Sequence, residues 1–129
     1  MNAEEMKKRT MKFALDVIAF VATLPNTFAS RTIGGQLIRS ATSVASNYRA
    51  SRRAKSDDDF LYKMKIVEEE VDESECWLEM LVTSKIAATP TALRLLREAG
   101  ELTAIVSASV VSTKARMARD KSFAKQAIS

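Results

Sequence analysis

The stretch SDDDFLYKMKIVEEEVDESECWLEML, Ser56–Leu81, decides the fold. Ser56 is a helix cap, and Asp57, Asp58 and Asp59 fill the first turn, where the helix dipole favours negative charge. Behind them Phe60, Met64, Val67, Val71, Ser74, Leu78 and Leu81 fall on one helical face. Ile66, Trp77 and Met80 lie on its flank. Nothing in the chain alternates with the period of two that a half-buried strand would need. A helix is expected over residues 57–88.

On the C-terminal side, Thr89-Pro90 is a cap followed by proline at the first helical position. A further helix is expected over 90–118. Leu93, Leu96, Val106, Val110 and Met117 stand at helical spacing, and Leu95, Leu102 and Ile105 form a second face. Residues 120–129 are expected to fray. On the N-terminal side, Ile33, Leu37, Ala41, Val44 and Tyr48 mark a helix over 27–55. Gly34 and Gly35 weaken it by about 1 kcal/mol each relative to Ala, and they let a neighbouring backbone approach. Pro25-Asn26-Thr27 is a turn. Before it, Phe13, Val17, Phe20 and Leu24 mark a first helix over 3–23, widened by Leu15, Ile18 and Ala22. With 129 residues, 3 Gly and 2 Pro, the chain fits one all-α domain over 1–119. Short connections make successive helices antiparallel, an up-down-up-down four-helix bundle. A hairpin or coiled-coil rod fits less well, because the apolar stripes are wider than a heptad seam.

Composition narrows the chemistry. The chain has no His, which removes Ser–His and Cys–His nucleophile pairs and the commonest transition-metal ligand. Cys76 is the one cysteine, so no intrachain disulfide is possible, and a reducing, cytoplasmic setting is expected. Lys7, Lys8 and Arg9 ahead of the apolar Phe13–Ala22 invite an export-signal reading. Glu4, Glu5 and Asp16 argue against it, and the run is short of the ~20 residues that span a bilayer, so no membrane association is expected. Glu68, Glu69, Glu70, Asp72, Glu73, Glu75 and Glu79 invite a di-iron reading, but that site needs Glu-x-x-His on two helices. Cys76 sits among Glu73, Glu75 and Glu79, the wrong field for a reactive thiolate. Gly34-Gly35 lacks the spacing of a phosphate loop. We therefore expect no enzyme, no catalytic or metal-binding residues and no cofactor.

Charge is segregated along the chain. Residues 1–55 hold ten Lys/Arg and three Asp/Glu, residues 56–89 hold three and ten, and residues 90–129 hold seven and three. One reading is that the acidic third helix lies between basic neighbours, within a subunit or across an interface, and fixes orientation and partner choice. The other is a nucleic-acid footprint. Its candidates are Arg49, Arg52, Arg53 and Lys55 at the end of the second helix, with Lys7, Lys8 and Arg9 near the start of the first. Antiparallel packing would bring both groups to one end. Tyr48 reads as a core residue rather than a base-stacking platform. A polar stripe of Gln36, Arg39 (or Ser40), Ser43 and Asn47 reads as a buried seam facing Glu70 and Glu73, with ligand contact as the alternative.

Several of these residues form a pattern. Gln36-Leu37, Arg39-Ser40, Ser43-Val44, Asn47-Tyr48-Arg49, Asp59-Phe60 and Trp77-Leu78-Glu79-Met80-Leu81, preceded by Leu24-Pro25, resemble the four-helix-bundle proteins encoded in intervening sequences of bacterial 23S ribosomal RNA genes, often labelled S23 or intervening-sequence proteins. The resemblance covers most of the first three helices. It implies a bundle assembled into a ring, typically a homopentamer, without enzymatic activity. A related group comprises the accessory proteins of diversity-generating retroelements, which associate with a reverse transcriptase and nucleic acid. Where the family carries Glu-Ala after Asn-Tyr-Arg, this chain has Ala50-Ser51, so any contact of that glutamate is missing. The expectation is a non-enzymatic homo-oligomer that binds nucleic acid, above all RNA, through basic helix ends. The alternative is a protein-interaction scaffold whose charge blocks dock subunits and a larger protein partner.

Overall fold

The computed structural model describes residues 1–128. They form four helices: α1 (Ala3–Val21), α2 (Phe28–Ser51), α3 (Asp57–Thr83) and α4 (Pro90–Ile128). No strand occurs among the described residues. Each helix starts on a side-chain cap. Asn2 Oδ1 accepts the Glu5 N–H at 2.8 Å, and the Glu5 carboxylate returns to the Asn2 N–H, a reciprocal capping box. Thr27 accepts from the Ser30 N–H, Ser56 from Asp59 and Thr89 from Ala92, each at 3.1–3.2 Å.

The helices pack side by side around one core, α1 against α2 and α4, and α3 against the same two. Contacts run in opposite numerical order on every pair. Arg9 meets Glu98 and Glu101 while Asp16 meets Arg94. Asp57 meets Arg116 while Glu75 lies against Gly100. Ser40 meets Ser74 while Arg52 lies over Phe60. Gly34 packs on Val21 and Leu24. Phe13, Leu37, Met64, Leu78, Leu81, Leu95 and Leu102 are the largest fully buried side chains, and burying each stabilises by roughly 1.5–3 kcal/mol.

The core differs from the expected stripes at two places. Leu15 and Ile18 do not widen the buried face of α1: with Met11 they form an exposed strip on its outer side. On α4, the buried line is Ala92, Leu95, Ala99, Leu102, Val106 and Val110, while Leu93 is exposed. The small residues Ala92 and Ala99 are fully buried on this line. A reading weighted toward large side chains is thereby led one residue, about 100° of helix, off the true face.

The ends also move. α1 stops at Val21, short of Thr23, and α2 stops at Ser51, short of Lys55. α3 stops at Thr83 rather than Ala88, because Lys85 takes a positive φ of 65° and the Ala87 N–H returns to the Leu81 carbonyl. α4 runs past Ala118, and residues 120–128, expected to fray, continue it as helix. No Gly or Pro follows Gly100, so nothing local stops a helix that is already nucleated. Ser129, the end of the expected tail, lies outside the described residues.

Candidate nucleic-acid interface

The expected cations divide into three groups. Lys7 and Lys8 project from the exposed side of α1, and Arg49 lies in the last turn of α2, where positive charge suits the helix dipole. The reversed order of α1 and α2 brings these three to one groove of about 440 Å³, whose walls also carry Lys12, Met11, Leu15, Ala45 and the acids Glu4 and Asp16. Lys12 is bound to Asp16 at 2.7 Å, whereas Lys7, Lys8 and Arg49 form no ion pair among the described residues.

Arg52, Arg53 and Lys55 follow in the α2–α3 turn. The Arg52 guanidinium stands 5.7 Å from the Phe60 ring centroid, a cation–π distance that leaves its charge facing solvent. The Lys55 backbone N–H donates to Asp59 at 3.1 Å, and its ammonium has no carboxylate partner. Arg52 and Lys55 line a second concavity of about 440 Å³ with Ser56, Asp57, Phe60 and Arg116. Arg53 is exposed beside it.

Arg9 leaves the expected set. It turns toward α4, where Nε and Nη2 grip Glu98 at 2.8 and 2.6 Å, and Nη2 reaches Glu101 at 2.8 Å. The hydrogen bond to Glu98, with the charges of both glutamates, raises its pKa further above the ordinary guanidinium value. Arg9 is therefore the clamp between α1 and α4. Tyr48 is buried, and burial raises the pKa of its phenol.

The polar stripe on α2 breaks into two parts. Arg39 reaches Glu73 and Glu70 on α3 and holds Gln36 at 3.3 Å, and Glu73 also accepts from the Trp77 indole at 3.3 Å. The guanidinium lowers the Glu73 pKa. Arg39 is half exposed, so this is a surface clasp and not a buried seam. Ser43 and Asn47 bond within α2: the Asn47 amide donates to the Ser43 hydroxyl at 2.9 Å and to its carbonyl at 3.0 Å, and the Ser43 carbonyl also accepts from the Ser46 hydroxyl. The buried polar crossing is made by Ser40, the alternative to Arg39 in that stripe, with Ser74 on α3. Ser74 Oγ lies 2.8 Å from Ser40 Oγ, and both residues are fully buried. Two serines among aliphatic residues show no sequence signal beyond their place on the apolar lines. Among the described residues no three His, Cys, Asp or Glu side chains converge as a metal site, and no helix is long and apolar enough to cross a membrane.

This geometry sits within a recognised family pattern. The model of the 23S rRNA-intervening sequence proteins matches residues 3–108. The chain belongs to that family. The matched span covers α1 to α3 and the first half of α4, including every expected site residue. A crystal structure of a protein with unknown function from the S23 ribosomal protein family of Bacteroides thetaiotaomicron VPI-5482 is similar to it. The TM-score is 0.75 at 25% identity over 81% of this chain and 97% of that one. No curated protein matches. The family match ends at residue 108, within α4.

Proposed function

We propose that this member of the intervening-sequence family is a non-enzymatic, cytoplasmic protein that binds RNA through its basic helix ends. The observation that carries the reading is the state of the cations. Of the seven candidates only Arg9 is held by carboxylates among the described residues, and those lie on α4, not on acidic α3. Lys7, Lys8, Arg49, Arg52, Arg53 and Lys55 keep their charge at one end of the molecule, where phosphates would replace counterions. The missing histidine supports the absence of catalysis, and a lone cysteine suits a reducing compartment.

The test is RNA affinity across a salt series. The protein should bind at low salt with log K falling linearly in log salt. A combined Arg49→Ala, Arg52→Ala and Arg53→Ala variant should bind more weakly, with a shallower slope of about two units for a single strand. A wild-type chain with no affinity at low salt, or with no salt slope, would sink the proposal.

The architecture belongs to the same proposal. Reversed contacts on all four helix pairs support an antiparallel up-down-up-down bundle. A second reading, subunit docking, is favoured by the exposed strip Met11, Leu15 and Ile18 on basic α1 and by exposed Tyr62 and Met80 on acidic α3. Two unlike, charge-complementary faces on one subunit make a head-to-tail contact that closes into a ring, with a homopentamer as the expected size. Light scattering giving a monomer mass would contradict it.

A further inference from the structure

The family domain ends at residue 108, but α4 continues as helix to Ile128. Its last connection to another helix is Arg116, whose two Nη atoms each hold Asp57 at 3.0 Å. From Ala118 to Ile128 every residue is exposed, alanines included. Eleven residues at 1.5 Å each make an exposed helical arm about 16 Å long.

Over residues 114–128 the helix carries Lys114, Arg116, Arg119, Lys121 and Lys125 against Asp120 alone. Arg116 is spent on Asp57 and Asp120. Lys114, Arg119 and Lys121 pair with no acid among the described residues. The arm springs from the concavity lined by Arg52, Lys55 and Arg116, beside Arg53. Free cations thus lie on both sides of the Arg116–Asp57 pair, on the α2–α3 turn and out along α4.

We infer that the α4 extension is an RNA-backbone arm, which lengthens the phosphate track beyond the family domain; the inference rests on the RNA reading above. The charge pattern favours a polyanion over a bilayer. Beyond Met117 the only large apolar side chains are Phe123 and Ile128, too few for the continuous apolar face that an interfacial helix inserts. Of the three acids nearest the arm's root, Asp57 holds Arg116 and Asp59 holds Lys63, while Asp58 is exposed and forms no ion pair among the described residues.

The experiment compares the full chain with a Lys114→Gln, Arg119→Gln and Lys121→Gln variant. Glutamine favours helix, so the arm keeps its shape. The probe is a single-stranded RNA oligonucleotide across a salt series, alongside anionic phospholipid vesicles and light scattering. The variant should keep the wild-type mass and lose roughly tenfold in RNA affinity near physiological salt, with the slope of log K against log salt shallower by about two. A full chain that binds RNA and a variant that matches it in affinity and slope would overturn the arm and leave the RNA reading standing. A variant that changes mass would make the arm a contact between copies, and wild-type binding to vesicles but not to RNA would make it a membrane element; either overturns the inference. A full chain with no RNA affinity at all would remove both readings.

Discussion

Gly34 and Gly35 are neighbours in one helix with opposite circumstances. A Cβ at Gly34 would stand 3.0 Å from Val21 Cγ1 and 3.2 Å from Leu24 Cδ1, while at Gly35 it would meet nothing within 4 Å. Gly35→Ala should therefore stabilise by about 0.5–1 kcal/mol, and Gly34→Ala should give little or none of that gain, read from urea midpoints at constant m. Glu75 is the unusual acid. Burial, then Asp72 and Glu79, raise its pKa, and its carboxylate occupies the room that Gly100 leaves, where a Cβ would stand 2.9 Å from Oε2. An acid with a raised folded-state pKa costs stability above that pKa and recovers it as pH falls below the unfolded value. Glu75→Gln should thus melt higher than wild type near pH 7 and lose that advantage by about pH 3. Asp16, Asp57, Asp59 and Glu73 behave oppositely. Cations hold their pKa values down, so their contribution is complete above the unfolded values and is lost as pH falls through the lowered ones. Wild-type melting temperature should fall in acid, with Glu75 opposing the trend.

Between elements, the α1–α4 seam is the slightest of the four contacts, and α2–α3 is the most extensive. Arg9 bridges that thin seam with both guanidinium edges, and its side chain and that of Glu98 are each about one quarter exposed. The Arg39–Glu73 clasp is the more exposed pair, at 49% and 35%. Double-mutant cycles should give a coupling on the order of 1 kcal/mol for Arg9 with Glu98, and a clearly smaller one for Arg39 with Glu73. Equal couplings would mean that burial does not set the difference. The caps were legible because their chemistry is local: Ser56 and Thr89 start α3 and α4 where the letters say. The C-terminal ends were not, since Lys85 at φ 65° carries none of the glycine signal that marks such a stop.

Across the whole molecule, packing is uneven along α4. Leu102 and Val106 are fully buried, whereas Ala118–Ile128 are exposed throughout. Amide exchange should be fastest along 118–128 and slowest at Leu37, Val67 and Leu102, because an unsupported helix opens without breaking the core. Protection of 118–128 equal to the core in the free protein would mean that another copy covers the arm. The sequence by itself determined the helical class, the four elements, most of the core and the division of charge, since periodicity, caps and composition act over a few residues. It also held the family pattern from Leu24 to Leu81. Tertiary structure alone decided that Arg9 is spent on Glu98 and Glu101 while Lys7 and Lys8 remain free, that Leu15 faces outward, and that Ser40 meets Ser74. Those outcomes depend on which residues of distant helices come within hydrogen-bonding reach. A shift of one residue on a helix turns a side chain by about 100° and changes its partner, and no local pattern encodes that.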